Sequence, residues 1–309
     1  MELSADDKPK RKRNGEDLTW VTDKTIEEVT HEARARALPI EMLYNFPWWA
    51  LILLVVGTWI GVSIWQDETY STIFGQLKDG VITTFKVSFI SYGLALIIGL
   101  IIGVIRSQRP RPRKGFLPRI FSIIHAAMYH IATLFVEMMR GLPVLIVLLI
   151  FAFVIIPEVK AYMRDTHGII IAFRSTSIET AIIALAMTYG AFLSEVFRAG
   201  IQSVGIGQIE AAQSVGMTYM QTMRFIVLPQ AIRRVLPPLG NDFIAMIKDS
   251  SLVAILGIRD VTQIAKVYSG STFLYLQTYS TVAVIYLSMT IFGSLLVRLI
   301  ENRVKIEER

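Results

Sequence analysis

Residues 195–252 read EVFRAGIQSVGIGQIEAAQSVGMTYMQTMRFIVLPQAIRRVLPPLGNDFIAMIKDSSL. Apolar runs precede and follow this stretch, yet its first two-thirds carry too many polar groups to lie in lipid. Gly205 and Gly207 loosen the backbone ahead of Gln208–Val215, which reads as a short helix with Glu210, Ala211 and Ala212 near its centre. Gly216 is placed to end that helix in a left-handed conformation, which only a residue without Cβ adopts cheaply. Thr218 and Gln221 have the spacing of a capping box for a second helix, which Pro229 is expected to interrupt. The product is a compact knob of two short helices. Its small Ala side chains let another protein's groove approach closely, and Glu210 offers one charge for register.

Composition sets the solvent. Fifty-three per cent of the chain is hydrophobic and the mean hydropathy is +0.51, too apolar for an ordinary soluble domain, so an all-α, polytopic membrane protein is expected. With no cysteine, disulfides, thiol catalysis and thiolate metal sites are excluded. The net charge of +6 matters less than where it sits. Residues 1–46 are polar and basic, with KPKRKR at 8–13, and no apolar core follows soon enough for a cleavable signal peptide. They read as a solvated cytoplasmic tail that fixes topology rather than as a nucleic-acid arm, with a short amphipathic surface helix at 26–38. The loop RSQRPRPRK at 106–114 is basic and broken by proline, and no aromatic residue interrupts its charges. It is a cytoplasmic loop, not a nucleic-acid surface.

Six apolar runs follow from the pattern. The first is about 46–65, flanked by Trp48, Trp49 and Trp65 as interfacial anchors, with Gly57 and Gly61 spaced for helix packing. The second, about 83–105, repeats that spacing at Gly99 and Gly103. Residues 119–156 exceed the about 20 residues one span needs, and Gly141 and Pro143 offer a break. Backbone groups freed inside a membrane are tolerated only against protein or a wet cavity, which makes Arg140, Gly141, Leu142 and Pro143 a first candidate for a translocation path. The remaining runs are about 178–197, 235–258 and 281–300, with 157–177 and 259–280 as outer segments. Counting the broken helix once, both termini, the 106–114 loop and the knob share the cytoplasmic side.

The chain has no phosphate-binding GxxxxGK[ST] loop, no HExxH and no GxSxG, and its four histidines are scattered, so neither ATP hydrolysis nor a metal site is expected. The notable chemistry is charge inside apolar segments: Glu137, Arg140, Glu195, Asp242, Lys248 and Asp249. Isolated charges there cost roughly 2.5 kcal/mol or more each, so they pair or line a cavity. Arg140 and Glu195 read either as mutual neutralisation or as path residues. Glu137 and the Lys248–Asp249 pair read as helix-end or gating groups.

Taken together, EAA at 210–212, Gly216, and IVLP at 226–229 resemble the EAA loop of permease subunits from ATP-binding cassette importers. RAGI at 198–201, LPPLGN at 236–241 and KDSSL at 248–252 resemble the polar amino acid branch, and EMMRGLP at 137–143 is similar to that branch's Arg-Gly-Thr-Pro element. The resemblance covers about residues 80–300 and departs from the family in three places. Leu142 replaces a usual Thr, Gly205-Ile206-Gly207 replaces Pro-Lys-Gly, and the first 80 residues add a span.

The resemblance implies a type I importer permease fold, a five-span core (80–300) with its coupling loop at about 200–232. To this are added a tail at 1–46, an extra helix and outer loop at 47–79, and a short tail at 301–309. It implies a bacterial cytoplasmic-membrane protein, with a second permease chain, identical or related, two ATPase subunits that bind the ATP and magnesium, and an extracytoplasmic amino-acid-binding protein. Glu210, Ala211, Ala212 and Gly216 would engage the ATPase. A polar amino acid needs partners for carboxylate and ammonium: Arg140 or the amides around Gly141 suit the first, and Asp242 with Asn241 and Tyr189 the second, Glu195 being the alternative. A secondary transporter driven by an ion gradient is the rival reading. It would need its own ion site, for instance at Glu195 and Asp242, and usually shows internal repeats, of which none is evident.

Overall fold

The computed structural model describes residues 48–112 and 115–304. The basic run at 8–13, the surface helix expected at 26–38 and the last five residues lie outside them. The chain divides into two compact units, Met1–Trp59 and Ile60–Arg309. In the first, the described residues begin helix α1 (Trp48–Gln66), where Trp48, Ile52, Val55 and Trp59 are exposed, as suits a helix that faces lipid.

The second unit is helical among the described residues. Helix α2 (Glu68–Ser107) starts at Asp67, whose carboxylate accepts from the Thr69 N–H at 2.7 Å. The stretch expected as an outer loop is therefore the first turns of a 40-residue helix. Burial drives this extension: Ile73 and Leu77 are fully buried with Val261 and Ala265. Helix α3 (Phe116–Gly141) ends where the sequence predicts a break, with Leu142 and Pro143 both extended. Beyond it, α4 (Val144–Ile150), a π turn (Phe151–Ile155) and α5 (Ile156–His167) form one 24-residue run. Here the structure corrects the expected span of 119–156: each side of the break is long and apolar enough to cross a membrane. Gly168, in the left-handed region at φ 67°, ends the run.

Helix α6 (Ile178–Gln202) is the hub, with 67% of its apolar stretch buried against at most 28% for the other membrane-length helices. Its tightest neighbour is α2. A Cβ on Gly99 would stand 2.7 Å from Leu193 Cβ, and one on Gly103 would stand 2.8 Å from the Ser194 carbonyl. Gly190 returns the favour from α6 by admitting Ile98. The second glycine pair is thus a close-packed seam, as small residues permit in membranes. Two buried hydroxyls along it are satisfied within their own helices, Ser88 donating to the Thr84 carbonyl and Thr188 to the Ala184 carbonyl, whereas the buried Ser91 hydroxyl has no partner among the described residues.

After the knob helices α7 (Ile206–Ser214) and α8 (Tyr219–Thr222) comes a π turn (Met223–Val227) and then α9 (Leu228–Asp249). The interruption expected at Pro229 does not occur. Pro229 lies in the first turn of α9, where its missing N–H costs least, and the π turn takes up the mismatch. Pro237 and Pro238 also stay inside the helix rather than bending it apart. A 3₁₀ segment (Ser250–Leu256) and the left-handed Gly257 lead to α10 (Val261–Thr272), and α11 (Tyr275–Val304) completes the described chain. Asp260 caps α10 by accepting from the Gln263 and Thr262 N–H groups at 2.8 and 3.2 Å. Burial raises its carboxyl above the usual range, while those two amides and the Tyr286 hydroxyl oppose the shift.

Candidate functional site: a charged helix break and an exposed coupling knob

Glu195 on α6 gathers the charge. Its Oε1 accepts from Arg106 Nη1 of α2 at 2.5 Å, and its Oε2 accepts from Arg198 Nε and Nη2 at 2.9 and 2.5 Å. Arg140, the last charge before the α3 break, approaches Oε1 to 3.8 Å without a hydrogen bond. Arg106 also donates to Thr133 at 3.2 Å and faces Glu137 at 4.0 Å. Three guanidiniums thus meet two carboxylates. The sequence reading foresaw the Arg140–Glu195 pair but not Arg106 or Arg198. Arg106 opens the basic loop in sequence yet is buried, and Arg198 stands in the RAGI stretch with no local sign of its partner. With Glu195 so engaged, Arg140 keeps a half-exposed guanidinium beside the extended Leu142–Pro143 backbone.

The other expected site residues divide. Gly141 and Pro143 are exposed at the break, whereas Leu142 packs against the cluster of Val147, Phe151 and Leu185. Tyr189 is buried, and its hydroxyl donates to Asp249, not Asp242, at 2.8 Å. Asn241 is exposed and Asp242 is half-buried. Among the described residues, no side chain donates a hydrogen bond to the Asp242 carboxylate. Tyr92 donates to the Leu239 carbonyl at 2.6 Å and so fixes α9 one turn ahead of Asp242. A cleft of about 460 Å³ between α6 and α9 is lined by Glu195, Ala199, Ser203, Arg234 and Pro238. Among the described residues, no three His, Cys, Asp or Glu side chains are placed to hold a metal.

The knob forms as its local chemistry predicts. Gly216 has φ 83°, and its N–H bonds the Gln213 carbonyl at 3.0 Å. The Met217 N–H bonds the Ala212 carbonyl at 3.1 Å, closing the end of α7. Thr218 and Gln221 make the reciprocal capping box. Glu210 and Ala211 are exposed, with Ile206, Val215 and Met220 each more than 70% exposed around them. Ala212 corrects the expected Ala face: it turns inward and is buried. A small cluster of Val204, Val227 and Ala231, flanked by Ile209 and Met223, holds the knob together. One side-chain contact fastens the end of α6 that leads into the knob, and a second fastens the knob itself. Arg234 of α9 donates to Ser203, and Gln108 at the end of α2 donates to the Tyr219 hydroxyl at 2.5 Å. The knob therefore presents one carboxylate, Glu210, among three exposed apolar side chains.

Comparison with known proteins agrees with this arrangement. Residues 120–306 match the family described as the inner membrane component of binding-protein-dependent transport systems. A probable glutamine ABC transporter permease of Bacillus subtilis is 32% identical over 80% of this chain and 99% of its own length. The glutamine transport system permease of Escherichia coli K12 is 30% identical over 74% of this chain and 93% of its own. Among solved structures, one chain of a crystal structure of an amino acid ABC transporter with histidines is 31% identical with a TM-score of 0.60, covering 76% of this chain and 97% of that one. A chain of an inward-facing methionine ABC transporter shares the fold at 20% identity and TM-score 0.58, covering 76% and 99%. A helical bundle of this topology, a matched family model and these relatives place the chain among the inner membrane components of binding-protein-dependent transport systems, the permeases of ABC importers.

Proposed function

We propose that this chain is the permease subunit that carries a polar amino acid across the bacterial cytoplasmic membrane, coupled through residues 206–222 to a separate ATPase. The observation that carries the reading is the knob: Glu210 and Ala211 are exposed among three apolar side chains, on a stem fastened to α2 and α9. The relatives named as glutamine and amino-acid permeases support the substrate class. In this reading two permease chains enclose the path, an ATPase dimer binds ATP and magnesium and receives one knob per permease, and an extracytoplasmic binding protein delivers the amino acid. The chain itself holds no cofactor and meets lipid, not nucleic acid. Both termini face the cytoplasm.

The substrate meets Arg140 and the amides around Gly141 with its carboxylate. Arg140 is suited to this because Glu195 is already hydrogen-bonded by Arg106 and Arg198. The ammonium meets Asp242, whose carboxylate is free of side-chain donors among the described residues. Closure of the ATPases on nucleotide moves the knobs, and the bundle switches which side is open. The test is purification of the chain with ATPase and partner permease expressed together, followed by uptake of labelled amino acids into proteoliposomes. ATP-dependent uptake with a copurified ATPase is expected. Uptake that needs an ion gradient and no ATP would support the secondary-transporter reading instead.

A further inference from the structure

A string of polar contacts, joined at one point by the Ser107–Gln108 peptide, runs from the knob to the α3 break, and its middle member is bonded at both ends. Tyr219, the first residue of α8, accepts from Gln108, which directly follows α2. Ser107, the last residue of α2, offers a carbonyl that no further helical turn can satisfy. Gln202 at the end of α6 donates its Nε2 to that carbonyl at 3.0 Å. The Oε1 of the same amide accepts from Arg198 Nη1 at 2.8 Å, which turns the other two nitrogens of Arg198 toward Glu195. Glu195 then faces Arg140 at 3.8 Å, immediately before Gly141.

Two features let such a string carry displacement. The α2–α6 seam is packed through Gly99 and Gly103 with no room for a methyl group, and beyond Gly103 the two helix ends are joined by polar contacts, Arg106 to Glu195 and Gln202 to Ser107. The contact to α3 is a long ion pair in place of a hydrogen bond, so a shift of Glu195 changes the charge that faces Arg140 without breaking a bond. We propose that Gln202 and Arg198 are positioning residues for energy coupling: they lock the knob's attachment on α2 to Glu195, so that a displacement of the knob is delivered to Arg140 at the break. The inference rests on the reading that an ATPase drives the knob.

The amide of Gln202 can be split. Gln202→Glu keeps an acceptor for Arg198 and loses the donor to Ser107, while Gln202→Lys keeps a donor and loses the acceptor. Each variant is purified with ATPase and partner permease and reconstituted, and amino acid imported per ATP hydrolysed is measured with basal hydrolysis, ATPase retention and melting temperature. Both variants are expected to lower the import-to-ATP ratio about fivefold or more, the range of ordinary coupling free energies, with the other three readouts unchanged. A wild-type ratio in either variant overturns the relay. Loss of the ATPase or a lower melting temperature in both also overturns it, because Gln202 would then be a structural cap. A wild-type chain that retains no ATPase would instead fail the underlying functional reading, which separates the two.

Discussion

Glu195 meets more positive charge than one carboxylate can neutralise, and the surplus falls on Arg140. Arg106 and Arg198 take its hydrogen-bonding capacity at 2.5 Å each, leaving Arg140 half-exposed beside the extended Leu142–Pro143 backbone. Asp242 is the complementary case, a half-buried carboxylate with no side-chain donor among the described residues. Asp242→Asn keeps the shape and removes the charge. Losing one charge-assisted hydrogen bond to the substrate ammonium is expected to cost about 1.5–3 kcal/mol of binding. Equilibrium binding to the purified permease–ATPase complex, without the binding protein, checks this, and unchanged affinity would remove Asp242 from the site. Gly80 makes a structural prediction of the same grain. A Cβ there would lie 2.6 Å from the Val261 nitrogen, a backbone atom that cannot swing away. Gly80→Ala is expected to destabilise the α2–α10 contact by about 1–3 kcal/mol, the usual cost of overpacking, read as a lower melting temperature in detergent.

The helices of the knob were legible because their determinants are local. The capping box spans three residues, and Gly216 ends α7 by its own φ of 83°. Longer-range features were not legible. Arg106 follows apolar residues and precedes a basic loop, so composition assigns it to the loop. What turns it inward is the glycine seam with α6, which brings it to a residue 89 positions away. Tyr189 reaches Asp249 across 60 positions for the same kind of reason. The prolines misled in the opposite sense: the rule that Pro ends a helix fails where a π turn precedes Pro229. Gly216 separates shape from space, since a Cβ there would meet no atom within 4 Å. Its substitutions should therefore follow backbone preference alone. Gly216→Asn, tolerant of left-handed backbone, is expected to keep transport, while the β-branched Gly216→Val abolishes it and loosens the ATPase. Equal transport by the two would mean that the turn is not what positions the knob.

For the molecule as a whole, the proposed reading carries one orientation: both termini and residues 106–114 in the cytoplasm, with 157–177 and 259–280 outside. The break at Leu142–Pro143 makes this worth testing, because α3 and the α4–α5 run are each long enough to cross. If both crossed fully, the 106–114 loop and the knob would fall on opposite sides, which the Gln108–Tyr219 and Gln202–Ser107 contacts exclude. The chain has no native cysteine, so a single Arg111→Cys probe has a clean background. It is expected to resist membrane-impermeant thiol reagents in intact cells and to react after permeabilisation. Labelling in intact cells would invert the 106–114 loop.

The central claim is that an ATPase drives this bundle through the exposed knob, and Glu210 tests it most directly. Its side chain is exposed on α7, so Glu210→Lys reverses one charge on the docking surface without disturbing a packed group. The measurement is ATP-driven amino acid uptake by the reconstituted complex, with the amount of ATPase that copurifies. The account predicts that Glu210→Lys stays folded in the membrane, loses the ATPase and imports nothing. Wild-type uptake with a full complement of bound ATPase would contradict it.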